Sequence, residues 1–226
     1  MKLSLSVLIP CYNVAGTVES VVRDAYTVAD KIADPLEIIV TDDGSTDATN
    51  RVLRKLAHEI PHLKMINHNV NQGYGTTIKE LYQAGANSWL FTLPGDGQYD
   101  AGELTKLLSR TKDADMILGW RASRNDPPFR LFQSWIYNRL LNFLFGIQLH
   151  DVNTIRLMKQ TVIRTLLLTS NSAFVDAELA IRAKREGFRI VEVPVIHKKR
   201  QRKGATGGNF FRTILPAIVD AIRFLI

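Results

Sequence analysis

EIIVTDDGSTDAT, residues 37–49, takes an apolar run into an acidic, glycine-containing turn and then into a helix start. Leu36 to Val40 is a short run of branched aliphatic residues, the composition of a strand buried on both faces. Thr41 to Thr46 is the turn, and Asp47 or Ser45 is placed to cap the helix running to about Ile60. The same order recurs on both sides. Leu3 to Ile9 reads as a first buried strand, and Val14 to Ala33 has helical spacing. Leu63 to Asn67 reads as a third strand, Gly75 to Ala86 as a helix, and Trp89 to Leu93 as a fourth strand. Strands alternating with helices imply right-handed crossovers and a mostly parallel sheet covered on both faces, a three-layer α/β fold. Ligands of such sheets sit beyond the carboxyl ends of the strands. That rule gathers Cys11–Asn13, Asp42–Asp43, Asn71–Gly73 and Asp96 at one edge.

The run Leu93 to Asp100, LPGDGQYD, sets Asp96 between two glycines at the end of an apolar strand. Glycine lets the backbone approach a ligand closely, and a carboxylate there suits a hard divalent cation held against a diphosphate. Gln98 points the same way if the segment is extended. A solvated turn is the other reading of the same string.

In the second half, Asp115 to Gly119 is a strand, followed by a basic loop from Arg121 to Arg130. Leu131 to Leu149 is apolar but interrupted by Arg139 and two asparagines. It is too polar to span a membrane and fits a core helix or one at a membrane interface. Phe174 to Gly187 is amphipathic, and Arg189 to Val195 is a strand. Phe210, Phe211, Ile214, Ile218, Ile222 and Leu225 fall near one helical face, with Pro216 as a kink or start point. The expected organisation is a catalytic domain over 1–208 and an amphipathic C-terminal helix over 209–226, either an interfacial anchor or a helix docked on its own core.

The chain has 226 residues, 46% hydrophobic content and a net charge of +7, a basic balance that suits anionic partners. Its single cysteine, Cys11, excludes an internal disulfide framework and points to a reducing compartment. Met1 to Pro10 does not read as a secretory signal. Nucleic acid is excluded as a partner, because charge is unaccompanied by an aromatic-basic platform.

Taken in order, SVLIPCYN, EIIVTDDGSTDAT, NQGYGTTIKE, LPGDGQYD, DVNTIRL and GFRIVEVPVIHKKR resemble the family 2 glycosyltransferases. Within them the likeness is to the dolichyl-phosphate mannose synthase and polyprenyl-phosphate glycosyltransferase branch. The resemblance implies the nucleotide-diphospho-sugar transferase fold (GT-A, Rossmann-like). It also implies inverting transfer of a hexose from GDP-mannose or a UDP-sugar to a polyprenyl phosphate, with Mg²⁺ or Mn²⁺, by a peripheral enzyme on the cytoplasmic face of a membrane. Pro10, Tyr12, Asn13, Asp42, Asp43 and Gly73 match the family's nucleotide-binding positions. Asp96 and Gln98 match its metal motif, with Pro94 where a first acidic residue is usual. Arg121, Arg130 and Ser134 match the region receiving the acceptor phosphate, and Asp151 matches an acidic residue near the sugar. Asp176 and Glu178 resemble a further acidic pair, with helix N-terminal charge stabilisation as the rival account. In HKKRQRK, from His197, Arg200 is the arginine expected to reach the donor diphosphate, with Arg202 in reserve. Two alternatives stand beside this reading: the same fold acting on a saccharide or protein acceptor, and a catalytically silent nucleotide-sugar or membrane-binding module, which Pro94 keeps open.

Overall fold

The computed structural model describes residues 2–123, 128–198 and 215–225. Its strands are β1 (Leu3–Cys11), β2 (Ala33–Asp42), β3 (Leu63–Asn67), β4 (Trp89–Thr92), β5 (Met116–Ser123), β6 (Arg156–Lys159) and β7 (Ile190–Ile196). Its helices are α1 (Val18–Ile32), α2 (Thr49–Glu59), α3 (Tyr74–Ala84), α4 (Glu103–Leu108), α5 (Pro128–Phe145), α6 (Gln160–Thr165), α7 (Val175–Arg185) and α8 (Leu215–Leu225). The strands form one sheet in the order β3-β2-β1-β4-β6-β5-β7. β6 runs antiparallel to both β4 and β5, and the other pairings are parallel.

Alternation along β1 divides the core into two layers. Leu5, Val7 and Ile9 join Val18, Val22, Leu53, Leu56, Leu104 and Leu107, so α1, α2 and α4 cover one face. Leu8 faces the opposite way, with Ile78, Leu81, Val162, Val175 and Leu179 of α3, α6 and α7. The expected three-layer architecture is therefore present. Outside α7 lies a third cluster, in which Leu141 of α5 and Ala217 of α8 pack with Phe174, Ala177 and Ile181. The rings of Phe145, Phe174 and Phe224 meet there at 5.6–6.3 Å between centroids.

The boundaries that moved have local causes. α1 begins at Val18, because Val14 N–H donates to Thr49 Oγ1 at 2.7 Å and Ala15 N–H to Asp47 Oδ2 at 3.3 Å. α5 begins at Pro128 and stops at Phe145, where Gly146 takes a φ of +64°. Beyond that turn, the Asn142 side chain bonds both the N–H and the carbonyl of Leu149. Glycine's access to positive φ makes such a stop inexpensive.

β6 is a strand that apolar patterning does not announce. It opens on Arg156, which is 1% exposed and whose guanidinium lies 2.8 Å from Asp176 on α7. Tyr74 Oη also donates to Asp176, at 3.0 Å and 3.2 Å to its two oxygens. Burial and the carboxylate beside it act in opposite directions on Arg156, and the Asp176 charge holds it firmly protonated. Removing one partner of such a pair leaves an uncompensated buried charge. Arg156→Ala should therefore cost about 3–5 kcal/mol in urea unfolding, while Arg156→Leu combined with Asp176→Leu should recover most of it. A single variant as stable as the parent would show that the pair does not hold β6 against α7.

Candidate active site

Six parallel strands end on one side of the sheet, and antiparallel β6 begins there. β1 supplies the fixed point. Cys11 pairs with Asp42 in register, and its carbonyl accepts Asp43 N–H at 2.9 Å. The Pro10 carbonyl accepts Gly95 N–H at 3.1 Å from the loop after β4. Cys11 lies between the two acidic loops: burial first, then the charges of Asp42 and Asp96, push its thiol pKa far up. Asp43 and Asp96 thus flank a single strand end.

On the β2 side, side-chain acceptors stitch the loops together. Asn13, at φ +53°, accepts Thr46 N–H at 2.8 Å and Asp47 N–H at 3.1 Å, and its own N–H donates to Ser45 Oγ at 2.8 Å. The N-cap of α2 is Ala48, which offers no side-chain cap, in place of the expected Asp47 or Ser45; Asp47, one residue earlier, accepts Thr49 N–H at 2.9 Å through Oδ1. Asp42 accepts Ser45 N–H and the Asn50 amide. Asp43 accepts Gln72 N–H at 2.7 Å, Gly73 N–H at 3.0 Å and the Asn71 amide at 3.0 Å. Both aspartates are buried, and these bonds direct them into the loops. Gly44 has a φ of +67°, and a Cβ there would stand 2.5 Å from Asn71 N, so the loops of β2 and β3 touch through it. Gly73, at φ +87°, begins α3. Tyr12 is 37% exposed and lies at the rim with half-buried Pro10.

On the β4 side the segment is a turn, so the condition under which Gln98 would point the same way as Asp96, an extended segment, is not met. Gly97 takes φ +73°, and Gln98 N–H folds back onto Asp96 Oδ1 at 3.1 Å. The turn sends Gln98 toward β7: its amide meets His197 Nε2 at 3.0 Å, and Lys198 N–H donates to its carbonyl at 2.7 Å. His197 is a site neighbour that sequence reasoning passed over inside a basic run. The signal was its place one residue past a strand end. Among the described residues no cluster of three or more His, Cys, Asp or Glu side chains is arranged to hold a metal. The Asp96 carboxylate and the Gln98 amide oxygen are oxygen donors of the kind that fit Mg²⁺ or Mn²⁺ once phosphate oxygens complete the shell, while the His197 imidazole faces the Gln98 amide nitrogen.

Across from them, Arg121 at the end of β5 holds Asp151 with both edges of a fork, Nε at 2.5 Å and Nη2 at 2.9 Å. Glu192 on β7 secures the chain before it, accepting His150 N–H at 2.9 Å and Asp151 N–H at 3.3 Å. Tyr99 is buried, with its ring 5.2 Å from that of His197. Burial pushes its pKa up to about 12 against the opposing Arg121 charge and a Thr154 hydrogen bond, with Asp151 and Asp96 adding to the rise. Ser134 stands on α5, where its carbonyl accepts the Asn138 amide at 3.0 Å. The Arg130 side chain, Arg200 and Arg202 lie outside the described residues. Asp176 and Glu178 face inward: Glu178 accepts Thr169 and Ser170 N–H groups and the Arg182 guanidinium, as Asp176 does Arg156 and Tyr74.

Comparison with known proteins agrees with this architecture. A dodecaprenyl-phosphate galacturonate synthase of Rhizobium johnstonii is 28% identical over 222 residues, covering 95% of this chain and 65% of that protein. An undecaprenyl-phosphate 4-deoxy-4-formamido-L-arabinose transferase of Salmonella choleraesuis is 28% identical over 214 residues, covering 93% of this chain and 64% of its own length. The chain thus spans slightly under two thirds of each of these relatives. The Mycobacterium tuberculosis glucosyl-3-phosphoglycerate synthase, solved with Mn²⁺, UDP and glucosyl-3-phosphoglycerate, shares the fold at a TM-score of 0.74 and 18% identity, over 96% of this chain and 79% of that one. The model of glycosyl transferase family 2 matches residues 6–168, and the chain belongs to that family.

Proposed function

We propose that the chain transfers a hexose, with inversion, from a nucleoside diphosphate sugar to a polyprenyl phosphate at the cytoplasmic face of a membrane. The observation that carries this reading is the Arg121–Asp151 fork near the end of β5, on the same edge of the sheet where Gly95 N–H pins the Asp96 loop to the Pro10 carbonyl. The Asp96 loop offers donors for a phosphate-bound cation, and the fork an arginine for a second phosphate. The polyprenyl-phosphate acceptors in the names of the two relatives support the lipid assignment.

The acceptor phosphate is ionised at neutral pH, so no side chain has to remove a proton from it. One of its oxygens bonds to the anomeric carbon as the bond from that carbon to the donor diphosphate breaks. The nucleoside diphosphate departs with the electron pair, and configuration inverts. Asp151 then serves as the group that orients the Arg121 fork toward the acceptor, since a guanidinium held on one edge presents its remaining N–H groups in a fixed plane. Asp96 and Gln98 are the residues that would hold Mg²⁺ or Mn²⁺, which when bound would neutralise charge developing on the departing diphosphate. Arg200 takes its diphosphate role from the family resemblance alone.

Membrane contact on this reading falls to α5 and α8. Trp135 is 62% exposed and Phe143 84%, and Ile218, Ile222 and Leu225 of α8 also lie open. The opposite side of α8, Ala217, Ala221 and Phe224, packs on the domain. Among the described residues no helix is long and apolar enough to cross a membrane. An interfacial helix needs only one apolar face of this kind.

Replacing Asp96 with Ala should lower transfer of radiolabelled hexose to undecaprenyl phosphate by about a hundredfold or more, with the unfolding midpoint unchanged. A chelator should do the same to the parent enzyme; normal turnover in either case removes the cation assignment. Ile218→Ser with Ile222→Ser should reduce sedimentation with anionic vesicles by about tenfold or more, because each buried isoleucine is worth about 1.5–3 kcal/mol. Transfer to a short-chain, water-soluble prenyl phosphate should persist in that variant. Unchanged vesicle binding would exclude α8 as the contact.

A further inference from the structure

His68, the first residue after β3, places both ring nitrogens on carboxylates from different elements. Nδ1 lies 2.8 Å from Asp43 Oδ1 at the end of β2, and Nε2 lies 2.7 Å from Glu80 Oε2 on α3. A neutral imidazole carries one N–H and one lone pair, so it satisfies only one of two ionised carboxylates. Asp43 already accepts three N–H groups from Asn71, Gln72 and Gly73, so its oxygens act as acceptors and the bridging proton belongs to the ring. The geometry points to His68 as a positioning residue for the donor site: as an imidazolium it clasps Asp43 to α3, and nucleotide affinity depends on its proton. This rests on reading the β2–β3 edge as the nucleotide site.

The chain of contacts is short. Asp43 fixes the N–H groups of Gln72 and Gly73, and Gly73 is where α3 begins. Gly44, next to Asp43, touches the 70–71 backbone. If the ring loses its proton, one carboxylate faces a lone pair and the clasp opens on the Asp43 or the Glu80 side. The His68 side chain is 12% exposed, so water compensates poorly. Burial pulls its pKa down, but hydrogen bonds and charges from Asp43 and Glu80 outweigh that pull and leave it above the ordinary value. A groove of about 670 Å³ borders the ring, and its other charged group is Lys79, whose Nζ is bound to Asn171 Oδ1 at 2.6 Å. The sign follows from linkage. A folded-state pKa above the unfolded value stabilises fully below the unfolded value, and the contribution disappears as pH rises through the folded one.

The test follows the full chain by NMR between pH 5.5 and 9, together with calorimetric titration of UDP-glucose and GDP-mannose in the presence of MnCl₂. The His68 ring should titrate above about 6.5, the ordinary histidine value. The Gln72 and Gly73 amide signals should move with the same midpoint. Whichever nucleotide sugar binds should lose about tenfold in affinity across that midpoint, the scale of one charge-assisted hydrogen bond. His68→Asn should bind weakly and without that step, and His68→Gln should repeat the result if the first variant folds poorly. A ring titrating at or below the ordinary value, or amides that ignore it, overturns the clasp. So does a donor affinity that stays flat through the ring's titration. If neither sugar binds at any pH, the donor-site reading fails instead, and the ring and amide titrations still decide the clasp.

Discussion

The register of β1 against its two parallel neighbours is the constraint on which the site depends. β1 lies between β2 and β4, and its last carbonyls hold the loops on either side: Leu8 accepts Leu93 N–H, Pro10 accepts Gly95 N–H, and Cys11 accepts Asp43 N–H, at 2.9–3.1 Å. A Cβ on Gly95 would meet Cys11 Sγ at 2.8 Å, so the close approach of the Asp96 loop to β1 requires glycine. Side chains along a strand alternate with a period of two. A slip of one residue would turn Leu5, Val7 and Ile9 toward the other helical layer and unseat both acidic loops together. Hydrophobic alternation in the core therefore sets the separation of charged groups at the edge.

Carboxylates near that edge do more architecture than an acidic motif suggests. Loops beyond the strands carry N–H groups that no ladder neighbour can accept, and a buried carboxylate offers several lone pairs in a small volume. Asp43, Glu178 and Glu192 each gather two or more such donors, and Asp42 gathers one together with the Asn50 side-chain amide. Recognition of a nucleotide at Asp43 would thus work through a loop the same side chain has already ordered. Preorganisation of this kind costs nothing at the moment of binding, since the ordering entropy is spent on folding.

β1, β2, β3 and β4 were legible because they are runs of buried aliphatic residues, and the carboxyl-end rule then located Asp43 and Asp96 without further information. β6 was not, since RLMK is four residues with a charge at each end, and only the buried partner Asp176 explains Arg156. The Arg121–Asp151 fork and the contact of Gln98 with His197 join residues 30 and 99 positions apart. No local pattern encodes such pairs; they follow from inserting antiparallel β6 between β4 and β5, which brings β5, β7 and the entry to β6 around to the same edge. Which face of α8 packs was equally hidden. Both of its sides are apolar, and the smaller residues Ala217 and Ala221, with Phe224, turned inward.

α5 lies in the chain between Arg121 and Asp151, so the proposed acceptor site and the proposed membrane contact belong to one segment. α5 is tied back to that site, because Asn138 Oδ1 accepts Val152 N–H at 3.4 Å, one residue past Asp151. A lipid phosphate is an anion attached to a long apolar tail, and the two parts have opposite solvent preferences. An arginine at the base of a helix whose outer face carries Trp135, Ile136, Leu140 and Phe143 answers both preferences at once. On the proposed function, a bilayer or a prenyl chain would cover those exposed side chains.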